Sequence, residues 1–352
     1  MKRQKAKGKR QKIVLSLQSF FSRRSTAIAS LFLFPFFLFP FSFFAQSGRQ
    51  PDQQQPTRPR RVEPPAQDDK PIKLNADLVT VITSITDTAG NQVNNLSQKD
   101  FEVYEDNALQ ELAGCYREDQ VPLRMVFLFD TSTSIKHRFD FEQRAAARFF
   151  RQVMRPGDQA AILSVTDDPR IEMQFTSNVD RLVDTLAQLK PQGATSLYDG
   201  LIIAARYLRP SEGRHVMVVL SDGTDTTSLS NYAQAMAEVQ KSDAVIYGVH
   251  STGVAPSANV QDLAGESALK AMSEDTGGRA FFPPIYEDQK KESRELDEIY
   301  KRLAAEVHAQ YVLTYYSHND ARPGTFRSIQ VKVKRTDLQL QVRARRGYYT
   351  PK

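Results

Sequence analysis

Between about residues 122 and 308, short unbroken apolar runs alternate with stretches of helical spacing. Met125–Phe129 has the length and continuity of a strand buried on both faces, Val216–Leu220 is a second apolar strand, Gln159–Val165 and Val245–Val249 read as further strands, and Ile171–Phe175 reads as a short edge strand. The spacing predicts helices over about 139–154, with Phe141, Ala145, Phe149 and Val153 on one face, and over 178–189, with Val179, Leu182, Val183, Leu186 and Leu189 inward. Further helices are predicted over about 198–208, 232–240, 261–274 and 292–307. Strands alternating with helices imply an α/β fold, a doubly wound, mostly parallel central sheet with helices on both faces. In such a sheet ligands bind beyond the carboxyl ends of the strands.

On either side the rhythm changes to period two. Leu78–Ile85, Phe101–Asn107 and Leu109–Tyr116 read as strands before the central region, with a turn at Asp87–Asn91. Tyr311–Tyr316, Phe326–Val333 and Leu338–Arg343 read as strands after it. Ile329, Val331 and Val333 are expected on one face of their strand, with Arg327, Gln330, Lys332 and Lys334 mostly on the other. A unit of about 50 residues without a disulfide makes a marginal core. The two flanks are therefore expected to join in one small antiparallel β-sandwich-like unit. Arg343, Arg345 and Arg346 are expected to form a charged sheet edge that discourages aggregation.

These rhythms divide the chain into an amino-terminal β unit (71–120), a central domain (121–308) and carboxyl-terminal β strands (309–352). Ahead of them lie two segments of different character. Met1–Arg24 carries five Lys and four Arg and no acid, and Ala27–Phe44 is almost wholly apolar, so residues 1–47 read as an export signal. Ala45-Gln46-Ser47 fits the small-x-small rule for cleavage after Ser47; an uncleaved membrane anchor is the alternative. Residues 48–70, rich in Gln and Pro, are expected to be a disordered linker.

Composition changes the picture once that signal is set apart. The 352 residues carry 47 basic and 41 acidic side chains, but nine of the basic ones precede Ser47, leaving 38 against 41, a net charge of −3. Nothing beyond the signal then suggests nucleic-acid binding. The single Cys115 excludes an internal disulfide and leaves a buried thiol or an intermolecular bridge. The chain is expected to be exported, to the periplasm, the cell envelope or the outside.

The candidate chemistry begins where the run Met125–Phe129 stops at Asp130. In D-T-S-T-S, Asp130, Ser132 and Ser134 stand at i, i+2 and i+4 and project to one side of an extended loop. A carboxylate with alcohol oxygens is a hard ligand set, suited to Mg²⁺ or a similar divalent ion and not to zinc. The same residue types are also ordinary turn and N-cap residues. Two later stretches bear on the choice: Gly193-Ala194-Thr195-Ser196 before a helix, and Ser221-Asp222-Gly223 at the end of the run Val216–Leu220.

In this three-part form, over roughly Pro122–His308, the sequence resembles the von Willebrand factor A (VWA) family and its metal-ion-dependent adhesion site. The resemblance implies a Rossmann-like fold and a site with Asp130, Ser132 and Ser134 in its first element, Thr195 in the second and Asp222 in the third, one Asp acting through water. The implied metal is Mg²⁺, with Mn²⁺ or Ca²⁺ as substitutes. The overall layout, with D-F-x-V-Y-E-D in the β unit and R-R-G-Y-Y at the end, also resembles the VWA-related domain proteins typical of acidobacteria.

Neutral hydroxyls would leave much of a metal's charge uncompensated, so an open position would attract an acidic side chain from outside. The expectation is a metal-dependent protein-binding module for adhesion or assembly, not an enzyme, whose partner presents Asp or Glu; contact with a membrane is expected only through an uncleaved anchor. Two alternatives stand beside it. One is a Mg²⁺-dependent hydrolase recruiting His250 at the same strand edge, or His137 past the serines. The other is a scaffold that uses no metal. The sequence has no glycine-rich phosphate loop at a strand-to-helix junction, no G-x-S-x-G elbow and no H-E-x-x-H helix. Asp199 and Asp225 are expected to serve as helix caps.

Overall fold

The computed structural model describes residues 78–117, 121–136, 138–251, 260–284, 286, 288–317, 319, 322–335, 337 and 339–350. The expected export signal, the linker and His137 lie outside the described residues.

The central region is an α/β layer structure. Its strands are β5 (Leu123–Asp130), β6 (Gln159–Val165), β7 (Arg170–Thr176), β8 (Arg214–Ser221), β9 (Val245–His250) and β10 (Arg279–Phe281), in the order β10-β9-β8-β5-β6-β7. All neighbours are parallel except β6 and β7. β5 shows why its apolar run is unbroken. Leu123, Met125, Phe127 and Phe129 pack toward α1 (Phe139–Val153), α2 (Val179–Gln188) and α6 (Gln289–Val307). Val126 and Leu128 pack toward α3 (Leu197–Leu208), α4 (Tyr232–Lys241) and α5 (Val260–Asp275). Every one of these β5 side chains is 0% exposed, each contributing on the order of 2 kcal/mol by burial.

The flanking strands build two four-stranded sheets from both ends of the chain. β1 (Leu78–Thr86) and β4 (Leu112–Arg117) combine with β11 (Tyr311–Tyr316) and β13 (Gln341–Ala344) in the order β13-β1-β11-β4. β2 (Phe101–Glu105) and β3 (Ala108–Gln110) combine with β12 (Phe326–Val333) and β14 (Gly347–Tyr349) in the order β14-β12-β2-β3. A shared core of Val79, Val81, Ile85, Phe101, Val103, Leu313, Tyr315 and Ile329 joins them. β4 and β11 are adjacent, Tyr311 opposite Arg117, so the chain leaves for the central sheet and returns at neighbouring strands.

Three expectations change, and a fourth gains detail. Leu109–Tyr116 is not one strand: β3 and β4 belong to different sheets, because the chain crosses between layers at Glu111. Arg327 is not on the polar face. Period two places it with Ile329, and it is 5% exposed, bonded to Glu105 at 3.1 Å and to the hydroxyls of Ser317 and Tyr348. Arg343 does lie on an edge strand, β13, and Arg346 is exposed, but all three arginines are paired. They bind Glu306 (2.8 Å), Asp243 (2.5 Å) and Asp275 (2.8 Å), carboxylates of the central domain. Cys115 is half-buried on β4, not enclosed in the core. Among the described residues no helix is long and apolar enough to cross a membrane.

Candidate metal centre

β5 and β8 are neighbours, yet their following connections depart to opposite sides, β5 through α1 to β6 and β8 through α4 to β9. Such a point opens a crevice beyond the carboxyl ends of the two strands. Asp130 closes β5 and Asp222 follows the last residue of β8.

Asp130 is 0% exposed and each of its oxygens is engaged: Oδ1 accepts from the Ser132 amide at 2.8 Å and Oδ2 from the Ser221 hydroxyl at 2.8 Å. Burial pushes its carboxyl up to about 6, and the nearby charge of Asp222 adds to that shift, against the bonds from Ser132 and Ser221. The two carboxylates therefore feel one another. No Lys, Arg or His ion pair with either occurs among the described residues. Asp222 Oδ1 accepts from the Thr224 amide at 2.8 Å, a turn that aims its side chain.

The loop after Asp130 is anchored through its backbone. Thr131 donates its amide to Val165 O at 2.9 Å and accepts from Gln192 N at 2.6 Å, and Thr133 donates its amide to Gly193 O at 3.1 Å. Ser132, 2% exposed, precedes a short 3-10 turn, Thr133–Ile135, that contains Ser134. Gly193 has φ +70°, and an added Cβ would stand 2.5 Å from Asp167 Oδ2, so the chain passes where only glycine fits. Asp167 Oδ1 accepts the Ala194 amide at 2.7 Å.

Thr195, 4% exposed, is fixed by Thr226: its amide donates to Thr226 Oγ1 at 3.0 Å and its carbonyl accepts from Thr226 N at 2.8 Å. The stretch after β8 thus wraps the amino end of α3. Asp225 accepts from Tyr198 N at 3.1 Å, and Asp199 accepts from Leu229 N at 2.8 Å and Ser230 N at 3.1 Å. Asp225 thus satisfies an amide in the first turn of α3, whereas Asp199, expected as a cap, instead ties down the loop before α4, whose N-cap is Asn231. On the other flank Gly223 has φ +79°, and a Cβ there would lie 2.2 Å from Gly265 O on α5. His250 ends β9 beside Ser221, is 2% exposed, and lies with its ring centroid 5.7 Å from that of Phe282.

Asp130, Ser132, Thr195 and Asp222 thus sit on loops linked to one another at a single strand edge, with the Ser134 backbone in the first of them. Sequence reasoning missed the supporting residues Ser221, Asp167, Thr226 and Gly265. Ser221 alone carried a signal, as the first residue of S-D-G at a strand end. The donor set is made of carboxylate and hydroxyl oxygen, and its two carboxylates repel when both are ionised. A hard divalent cation fits that chemistry.

Residues 125–224 match the family model of the von Willebrand factor type A domain. Comparison with curated proteins returned no match. Among solved structures, the PilB minor pilin from Streptococcus sanguinis is similar over 53% of this chain and 62% of that one, with 14% identity and a TM-score of 0.41. The vWF domain of a type V pili tip protein from Porphyromonas gingivalis is similar over 30% and 39%, with 23% identity and a TM-score of 0.29. This chain therefore spans less than two thirds of either pilus protein. A conserved hypothetical protein from Bacteroides thetaiotaomicron is similar over 51% and 99%, with 17% identity and a TM-score of 0.36. The family match over residues 125–224, together with the strand order around Asp130 and Asp222, supports a von Willebrand factor type A domain in this part of the chain.

Proposed function

We propose that the chain is an exported, metal-dependent binding module for adhesion or assembly. Asp130, Ser132, Ser134, Thr195 and Asp222 hold a divalent cation, Mg²⁺ by preference. When bound, the cation supplies a Lewis-acidic charge with a coordination position open to a carboxylate from a partner protein. The reading is carried by one observation: the carboxylates of Asp130 and Asp222 stand close enough at the ends of neighbouring strands for one charge to act on the other, and neither has an ion pair among the described residues.

The protein's own part is positional. Ser221 and the Ser132 amide orient the Asp130 carboxylate, and the Thr224 amide orients Asp222. The backbone clasp between Thr195 and Thr226 fixes the hydroxyl-bearing loop before a partner arrives, so little ordering entropy is lost on binding. With one Asp acting through water, as the family resemblance implies, the direct ligands are one carboxylate and neutral hydroxyls, and the positive charge left over makes an external Asp or Glu the natural complement.

The experiment is titration of the full chain with Mg²⁺ and Mn²⁺ by calorimetry, beside Asp130→Ala. One ion bound by the parent and none by a folded Asp130→Ala supports the reading. A parent chain that binds neither ion, or a mutant that binds as well as the parent, removes it.

A further inference from the structure

The outward ridge of α1 carries Arg144, Arg148 and Arg151 at the spacing i, i+4, i+7, and α6 carries Lys290 and Arg294 one turn apart. Between them runs a groove of about 560 Å³ lined by Phe141, Arg144, Arg148, Lys290, Ser293 and Arg294. Four cations, one ring and one hydroxyl line it, and no carboxylate does. Arg148 is already held: its guanidinium meets Asp297 Oδ1 at 2.6 Å and donates to Ser293 Oγ at 2.9 Å. Arg144, Lys290 and Arg294 are exposed, and no ion pair engages them among the described residues.

Most acids nearby are spent elsewhere: Glu142 and Glu292 lie buried beneath and share Arg138, and Glu298 pairs with Lys301. Asp140 lines the adjoining groove toward α2 with Arg144, Arg148 and Arg151, and not this one. Like charges one turn apart destabilise a helix, and while Arg148 has Asp297, Arg144, Lys290 and Arg294 have no ion-pair partner among the described residues. Beyond the expected export signal the chain has a net charge of −3, so the cluster is a local concentration of positive charge and not part of a basic surface.

We propose that this groove is a binding site for a phosphate-bearing anion of more than one negative charge. Arginine forks match phosphate oxygens two at a time, lysine adds a compact charge, and the Ser293 hydroxyl adds a hydrogen-bonding partner. The groove uses none of the residues assigned to the cation, so the two sites stand or fall separately.

Calorimetric titration of the full chain with sodium tripolyphosphate, and flotation with vesicles of phosphatidylglycerol in phosphatidylcholine, test the site and its source of phosphate. The variants are Arg144→Glu/Lys290→Glu/Arg294→Glu and the milder Arg144→Gln/Arg294→Gln, with thermal melting as the check on folding. Saturable tripolyphosphate binding that weakens by at least about tenfold in the charge-reversed chain, and less in the neutral one, supports the site for a soluble anion. Vesicle binding without tripolyphosphate binding, lost in the same variants, supports it for a lipid headgroup. Binding that is equal in parent and folded variants, or absent from the parent with both probes, overturns the proposal.

Discussion

Ser221 donates its hydroxyl to Asp130 Oδ2 at 2.8 Å across the β5 and β8 strand pair, and Ser221 Oγ accepts from the Gly223 amide at 3.1 Å. One hydroxyl therefore couples the carboxylate that ends β5 to the loop that carries Asp222. Ser221→Ala leaves the fold intact but frees the Asp130 carboxylate to rotate. Loss of such an orienting bond typically weakens metal affinity by about 10-fold or more. The expected result is reduced but measurable Mn²⁺ affinity in Ser221→Ala, against none in Asp130→Ala, by calorimetry on the full chain. Equal loss in both variants would place Ser221 among the ligands instead.

A second prediction concerns pH. Glu142 is 1% exposed, and burial pushes its carboxyl up to about 8, with Glu292 adding to the shift and Arg138 opposing it. Arg138 contacts Glu292 closely and stands 3.6 Å from Glu142, whose Oε2 has no hydrogen-bond partner. The folded chain thus keeps a proton that the unfolded chain releases above about pH 4.3. Stability is then lost as pH rises from there to about 8, by up to about 5 kcal/mol. Glu142→Gln removes that slope. Urea denaturation at pH 5, 7 and 9 should show the variant gaining on the parent with rising pH, and parallel profiles would show that Glu142 ionises freely in the folded state.

What could be read in the sequence follows physical range. β5, β8 and β9 are buried on both faces, so their apolar runs are unbroken and declare themselves locally. Asp130, Ser132 and Asp222 follow such runs directly. The break between β3 and β4 has no local mark, since residues on both sides keep the same alternation while changing sheets. Arg327 was legible by period and misread by charge: its partner Glu105 lies 222 positions away. Asp167 acts on Ala194 from 27 positions away, and Gly265 acts by lacking a side chain. Neither effect leaves a pattern in the chain near the residue itself.

The Glu105 cluster supplies a third prediction. Glu105, 1% exposed, accepts from the hydroxyls of Tyr315 at 2.7 Å, Ser317 at 2.7 Å and Tyr348 at 2.9 Å, besides pairing with Arg327. Strands from both ends of the chain converge on this one carboxylate. Arg327→Ala leaves it buried without its cation, a change that costs about 3–5 kcal/mol. Thermal and urea unfolding should both show the loss. Pairing the change with Glu105→Gln should recover part of it, and no recovery would mean that the guanidinium stabilises by packing and not by charge.

The last prediction separates the site from the fold through a residue that touches no proposed ligand side chain. Gly265 lies on α5, and a Cβ there would stand 2.6 Å from Asp222 O, 2.8 Å from Thr224 Oγ1 and 3.0 Å from Thr224 N. That amide is the donor that orients the Asp222 carboxylate. Gly265→Ala favours the helix by up to about 1 kcal/mol in intrinsic propensity, while its methyl group pushes the turn out of place. Backbone atoms cannot swing aside as a flexible side chain can, so the strain falls on the loop after β8. The variant should melt within a few degrees of the parent, as about 1 kcal/mol implies for a chain of this size, yet bind Mn²⁺ several-fold more weakly. Unchanged affinity with unchanged melting would show that α5 yields instead, and that the Asp222 loop is held by Ser221 and Thr226 alone.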